Sequence, residues 1–113
     1  MFSLKNCLDI IEDMKVEITD VRVSGGGAES EVWRQILADI FNYKLSTIKA
    51  SEGPALGVAI LAGVGVGIYE SVEEACEKII KGKDLVNPNC DNIALYDKIY
   101  EVYNSLYPRL KDI

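Results

Sequence analysis

The sequence predicts a single α/β domain that is mostly helical and contains about two parallel strands. Two short runs rich in β-branched residues alternate with longer segments in which apolar residues recur at helical spacing. The order strand, helix, strand, helix is typical of parallel strands joined by a crossover helix. The length of 113 residues suits one domain, and the 49% hydrophobic content is sufficient for a buried core.

The chain begins with a predicted helix over about residues 3–14, where apolar side chains share one face. The first predicted strand covers residues 17–23 and ends with Val21 and Val23, which are β-branched. Consecutive glycines at 25–27 end this strand, because glycine is unfavourable in a strand and common in turns.

The second helix is predicted over residues 28–42, where apolar side chains recur at i, i+4 and i+8. Trp33 shares this apolar face, so we interpret it as a core anchor, with a stacking platform as the alternative. A second strand is predicted at residues 44–49. Ser51 can then cap the third helix, and Pro54 fits its first turn.

The third predicted helix, residues 55–66, is apolar almost all round. It also carries small residues that let neighbouring backbones approach, so we expect it in the middle of the fold. A capping box from Ser71 to Glu74 then opens a short helix to about Ile80. Gly82 is expected to end that helix.

The last helix is predicted from a cap at Asp91 to about Leu110. Its expected apolar seam consists of Ile99, Val102 and Leu106. A row of tyrosines lies beside the seam: Tyr96, Tyr100, Tyr103 and Tyr107. We interpret this row as packing against the rest of the domain, with a partner surface as the alternative.

Two strands are too few for a stable sheet, since an isolated pair is marginal and its free edge invites further pairing. The first helix also lacks a clear cap. We therefore expect a piece of a larger domain whose remaining strands precede Met1.

Charge and composition exclude several classes of function. The chain has 18 acidic and 12 basic residues, for a net charge of −6, so it lacks the basic stripe that binds nucleic acid or an anionic membrane. It contains no histidine, which removes the usual general base and imidazole metal ligand, and we predict neither a metal site nor hydrolase chemistry. The most apolar run, residues 54–69, is shorter than the roughly 20 residues that span a bilayer.

The cysteines lack the spacing of a zinc site or a disulfide framework. They are Cys7, Cys76 and Cys90. We interpret them as reduced thiols of a cytoplasmic protein.

The candidate ligand-binding motif is the glycine loop between the first strand and the second helix. Gly25, Gly26 and Gly27 tolerate positive φ and let a flat or anionic ligand rest against the backbone. The following helix directs its free N–H groups towards the loop, and Ser30 can hydrogen-bond to a base or a ribose. A tight turn without a ligand is the alternative. The loop is neither a dinucleotide fingerprint nor a Walker loop, since no lysine follows it.

Three separated blocks resemble the C-terminal end of xylulose kinases, members of the FGGY carbohydrate kinases in the actin, hexokinase and heat-shock ATPase superfamily. The blocks are VSGGGAESEVWRQILADIF, SEGPALGVAILAGVGVGIYESVEEA and YDKIYEVYNSLYPRLK. The resemblance covers essentially the whole chain and implies a partial ribonuclease H-like, actin-like ATPase subdomain. It also implies that Gly25, Gly26 and Gly27 form the adenosine motif and that Ser30 contacts adenine or ribose. Pro54 departs mildly from the alanine more usual in the family.

The resemblance further implies a function for residues 1–113 as the adenosine-binding part of the FGGY kinase C-terminal domain. The complete enzyme would use ATP and Mg²⁺ to phosphorylate D-xylulose, with another ketose or a polyol left open as substrate. Similar kinases keep the sugar lobe and catalytic aspartate upstream, so we expect no catalytic residue here and no activity from the chain alone. The expected partners are ATP or ADP and the N-terminal kinase lobe. Asp9, Asp20 and Asp39 are expected to be solvated carboxylates and not bases.

A function of a different class is an autonomous, non-catalytic module. It would use the tyrosine-bearing helix or the free strand edge to bind another copy of the chain, giving a homo-oligomer, or another protein.

Overall fold

A computed structural model describes residues 1–48 and 53–113. The described helices and strands are α1 (Phe2–Asp13), β1 (Val21–Val23), α2 (Glu31–Phe41), β2 (Leu45–Ile48), α3 (Gly53–Gly65), α4 (Val72–Ile79), β3 (Gly82–Val86) and α5 (Cys90–Leu110). A short 3-10 turn, Gly26–Glu29, lies between β1 and α2. The mostly helical character and the order of the predicted helices are confirmed.

The sheet has three strands in the order β1-β2-β3. β1 and β2 are parallel, with Val21 opposite Leu45, as the alternation of strands and helices predicted. β2 and β3 are antiparallel, with Leu45 opposite Val86, so the sheet is mixed. The third strand was not predicted because it begins with glycine and carries charged residues, a composition suited only to an edge strand.

The end of α4 differs from the prediction. Ser71 caps the helix as expected, with its Oγ accepting a hydrogen bond from the Glu74 N–H at 3.1 Å. The helix then ends at Ile79, and Ile80 is already extended. Gly82 therefore begins β3 and does not cap the helix, because the chain is already extended two residues before it.

The core lies between the sheet, α1 and α2. Its buried members come from one face of α2, from β2 and from α1: Leu8, Leu37, Ala38, Ile40, Phe41 and Leu45. The predicted apolar stripe of α2 is therefore confirmed from Ile36 onwards as the face that packs on the sheet, whereas Val32 and Trp33 in the first turn are exposed.

Asp39 contradicts the expectation of a solvated carboxylate, since it is only 2% exposed. Its carboxylate accepts hydrogen bonds from the Asn89 N–H at 2.7 Å and from Asn92 Nδ2 at 3.1 Å. Gln35 Nε2 also donates to it, at 2.9 Å. Because the start of α5 folds back onto α2, Asp39 joins the two helices.

The cap of α5 is Asn89, whose side chain accepts a hydrogen bond from the Asp91 N–H at 3.0 Å. The prediction of Asp91 as the cap is wrong because α5 begins earlier, at Cys90. Asp91 instead supplies a negative charge in the first turn, where the helix dipole favours it.

The predicted seam of α5 is also wrong, since all three of its apolar residues are exposed. The side of α5 that packs carries tyrosines instead. The Phe2 ring of α1 lies 5.8 Å from the Tyr100 ring and 5.5 Å from the Tyr103 ring, measured between centroids. The row does not pack along its whole length, because Tyr107 remains exposed.

The position of α3 contradicts the expectation that it lies in the middle of the fold. Val58 is 68% exposed and Leu61 is 64% exposed, whereas Ile60 is buried. Among the described residues α3 packs mainly against α4, so only one of its sides is covered. Pro54 lies in the first turn as predicted, and Ser51 falls outside the described residues.

None of the helices in the described ranges is long and apolar enough to cross a membrane. The three cysteines carry free thiols.

Candidate functional site

The glycine loop leaves the end of β1 and turns directly into α2. Gly25 has φ +95°, a left-handed value that favours glycine, as the sequence predicted. The turn is closed by hydrogen bonds from the Ala28 N–H to the Gly25 carbonyl at 3.1 Å and from the Ser30 N–H to the Gly27 carbonyl at 3.3 Å. A 3-10 turn leaves the N–H groups of its first residues unbonded, and here these belong to Gly26 and Gly27.

One side of the loop is open. A Cβ atom built at Gly25 or Gly26 meets no other atom within 4 Å. A Cβ at Gly27 would instead lie 2.8 Å from Trp33 Nε1, so glycine is required there for the close approach of the indole. The backbone at Gly26 is therefore accessible to a molecule from outside the chain.

Trp33 is 48% exposed, which contradicts its interpretation as a core anchor. It lies in the first turn of α2, and side chains of a helix lean towards its N-terminus. That direction brings the indole beside Gly27 and away from the sheet.

Ser30 is the N-cap of α2, and its Oγ accepts a hydrogen bond from the Trp33 N–H at 3.3 Å. The residue is exposed and extended, and its hydroxyl hydrogen is free to donate to another acceptor. The structure therefore brings Ser30 and the three glycines together in one continuous turn.

Arg34 also lies beside the glycine loop, although the sequence did not predict it as a site residue. It is 8% exposed, and its Nη1 donates to the Ala28 carbonyl at 2.6 Å. Its Nη2 lies 3.8 Å from Asp84 Oδ2 on β3. The sequence did offer an indication of this position. Arg34 lies three positions before Leu37 and four before Ala38, both buried, so this charged residue falls on the apolar face of α2.

The other two acidic candidates are engaged elsewhere. Asp9 accepts hydrogen bonds from Lys5 Nζ at 2.8 Å and from the Tyr100 hydroxyl at 2.5 Å. Asp20 accepts a hydrogen bond from Arg22 Nε at 2.6 Å and is exposed, as expected. No cluster of three Cys, Asp or Glu side chains that could hold a metal is found in the described part of the chain.

Burial alone would raise the pKa of Asp9, but the hydrogen bonds from Lys5 and Tyr100 outweigh it. The pKa of Asp9 is therefore lower than its ordinary value. Conversely, burial raises the pKa of Tyr100, and the hydrogen bond to Asp9 adds to this increase. The lowered pKa of Asp9 and the raised pKa of Tyr100 both favour a Tyr100 hydroxyl that donates to an ionised Asp9. This arrangement stabilises the contact between α1 and α5 and does not provide a base.

Comparison with known proteins identifies related chains. The sequence profile of the FGGY family of carbohydrate kinases, C-terminal domain, matches residues 1–66. Xylulose kinase from Staphylococcus epidermidis is 37% identical over 112 residues, which cover 99% of this chain and 23% of that relative. The chain thus spans less than a quarter of the length of that protein.

Solved structures share the fold. A xylulose kinase from Rhodospirillum rubrum superposes with a TM-score of 0.79 over 98% of this chain and 22% of its own, at 22% identity. Glycerol kinase from Plasmodium falciparum, determined with ADP, gives a TM-score of 0.72 at 27% identity over 96% of this chain and 22% of its own. The profile match over more than half of the residues shows that the chain belongs to the FGGY family of carbohydrate kinases.

Proposed function

We propose that residues 1–113 form the adenosine-binding part of the C-terminal domain of an ATP-dependent carbohydrate kinase. In this proposal the adenosine lies against the backbone of Gly25, Gly26 and Gly27, and the Ser30 hydroxyl contacts the base or the ribose. The observation that carries the proposal is the open backbone at Gly26, where unbonded N–H groups and the absence of a side chain leave room for a ligand.

The residues fit a nucleoside better than a bare phosphate. No lysine follows the glycines, and Glu29 and Glu31 flank Ser30, so the local charge disfavours a phosphate group at this position. The neutral N–H groups and the hydroxyl suit the hydroxyl and nitrogen acceptors of adenosine. ADP in the related glycerol kinase structure is consistent with a nucleotide as the ligand of this family.

The complete enzyme is proposed to transfer the γ-phosphate of ATP to a hydroxyl of D-xylulose, because xylulose kinases are among the similar relatives. Phosphoryl transfer needs Mg²⁺, a base for the attacking hydroxyl and donors to the γ-phosphate. No cluster of three Cys, Asp or Glu side chains that could hold Mg²⁺ is found among the described residues. Because the chain spans 23% of the similar xylulose kinase, we assign the base and the γ-phosphate donors to the rest of the kinase and expect no turnover from these 113 residues alone.

The rest of the kinase is also the proposed partner of two uncovered surfaces. β1 lies at the edge of the described sheet, and an apolar groove of about 400 Å³ runs beside it, between β1 and α1. Leu4, Ile11 and Val23 line this groove. The second surface is the exposed apolar side of α3. Kinase strands and helices packed on these surfaces would bury them, as family membership leads us to expect.

Titration with ADP tests the nucleotide proposal. The chain is expected to bind ADP saturably in a calorimeter, and Gly26→Val is expected to abolish binding by placing a side chain over the open backbone. Because a Cβ at Gly26 meets no atom within 4 Å, the fold should tolerate this substitution. Gly57→Val is the matched control: its Cβ also meets no atom within 4 Å, but it lies on α3, so ADP binding should persist.

Two outcomes would contradict the proposal. One is the absence of binding heat from a wild-type chain whose circular dichroism shows it to be folded. The other is equal ADP affinity in wild type and Gly26→Val.

A further inference from the structure

The inner side of the glycine loop is held by a single charged residue. Arg34 Nη1 donates to the Ala28 carbonyl at 2.6 Å, and both residues are buried. Ala28 belongs to the 3-10 turn that also contains Gly26 and Gly27. The guanidinium therefore fixes the turn that presents the unbonded N–H groups.

Arg34 also connects this turn to the far strand of the sheet. Its Nη2 lies 3.8 Å from Asp84 Oδ2 on β3. The Asp84 N–H in turn donates to Thr47 Oγ1 on β2 at 3.1 Å, and Thr47 is buried. The loop is thus connected through Arg34 to the two strands that follow it in the sheet.

Stability alone does not account for this arginine. Its Nε is buried and has no hydrogen-bond partner among the described residues. The ion pair with Asp84 is longer than a hydrogen bond, so the buried charge is weakly compensated. Apolar residues of similar volume often replace such buried charges without loss of stability.

We propose that Arg34 is a positioning residue for nucleotide binding. It holds the Ala28 carbonyl, and through it the 3-10 turn, in the conformation that presents the N–H groups of Gly26 and Gly27 to the ligand. This proposal rests on the nucleotide-binding function proposed above. It assigns to Arg34 an effect on the shape of the loop and no contact with the nucleotide.

Amide hydrogen exchange tests the effect on the loop directly and does not require a ligand. The Ala28 and Ser30 amides close the 3-10 turn, so their exchange reports whether it is intact. In Arg34→Met these amides are expected to exchange about tenfold faster than in wild type, because a hydrogen bond from a charged donor is lost. The amides of α1 around the buried Leu8, which lies outside these contacts, serve as the internal reference for global unfolding.

Asp39→Asn is the matched control. Asp39 is also a buried charged residue of α2, but it contacts the start of α5 and not the loop. In this variant we expect the amides of α5 to exchange faster than in wild type and those of Ala28 and Ser30 to exchange at the wild-type rate. If Arg34→Met fails to fold, Arg34→Gln serves the same comparison, because it also removes the charged donor to the Ala28 carbonyl.

ADP affinity distinguishes this proposal from the proposal on which it rests. Arg34→Met should bind ADP about tenfold more weakly than wild type, and Asp39→Asn should bind it equally once corrected for the folded fraction. Unchanged exchange at Ala28 and Ser30 in Arg34→Met, or an increase no greater than that of the α1 reference amides, would overturn the positioning role. Failure of the wild-type chain to bind ADP would instead overturn the nucleotide proposal, and loop exchange would still decide whether Arg34 holds the turn.

Discussion

The two most apolar helices of the chain, α2 and α3, have opposite environments. In α2, Leu37 is 4% exposed and Ala38 is fully buried, whereas in α3 Val58 and Leu61 are each more than half exposed. α2 has a polar face and an apolar face, and one sheet is sufficient to cover the apolar one. α3 is apolar on nearly every side, so it needs neighbours on several sides to be buried.

Because α2 is buried within the chain and α3 is not, the two helices should contribute differently to stability and to association. Burial of an apolar side chain stabilises the fold only where the same chain covers it, as it does for α2. A group of exposed apolar side chains such as that on α3 is typical of an interaction surface in a folded protein. We therefore expect substitutions in α2 to change the free energy of unfolding, and substitutions in α3 to change association with the proposed partner, the rest of the kinase.

The largest expected effect is that of Leu37→Ala, which should lower the free energy of unfolding by about 3 kcal/mol, because it leaves a cavity in the core. The matched substitution Leu61→Ala on α3 should change it by less than about 0.5 kcal/mol, since that side chain is already exposed. Urea denaturation followed by circular dichroism measures both. Equal losses in the two variants would mean that α3 is covered in the isolated chain, and the contrast between the helices would be lost.

Ser71→Ala is expected to have a smaller effect, about 1 kcal/mol, because it removes the side-chain cap of α4. α4 is the main neighbour of α3, so the loss should appear first as faster amide exchange in these two helices. The core amides of α2 should be nearly unchanged. Uniformly faster exchange across α2 and α4 would instead show that both regions unfold as one unit.

The same contrast explains how much of the fold could be predicted. α1, α2 and the parallel pair β1 and β2 follow from local periodicity, which the sequence displays directly. The composition of β3 resembles a loop, and only pairing with β2 makes it a strand. The burial of α3 depends on neighbours, so its apolar composition alone could not place it.

The candidate site divides in the same way. The glycine loop could be predicted because the positive φ of Gly25 and the open backbone at Gly26 are local properties. The contact between Asp39 and Asn89 joins residues 50 positions apart, so no spacing in the sequence reveals it. Arg34 was detectable as a charge on the apolar face of α2, but its contact with the Ala28 carbonyl depends on the conformation of the loop.

The smallest expected effect concerns the contact between α1 and α5, which involves neither α2 nor α3. The folded-state pKa of Asp9 is lowered, so its ionised form contributes stability above its ordinary pKa, near 3.8. This contribution is lost as the pH falls through the lower folded-state value. The difference in free energy of unfolding between wild type and Asp9→Asn should therefore be constant from neutral pH to about pH 5 and shrink below it.

Tyr100→Phe separates the two hydrogen bonds that lower the pKa of Asp9. It removes the hydroxyl donor and keeps the ring that packs on Phe2, so the pH dependence should weaken while the contact between α1 and α5 persists. Because the Asp9 side chain is 35% exposed, solvent screens both interactions and keeps the effect small. If the difference in free energy of unfolding between wild type and Asp9→Asn widened towards pH 3, the folded-state pKa of Asp9 would have to lie above its ordinary value. Asp9 would then be dominated by burial and not by its two donors.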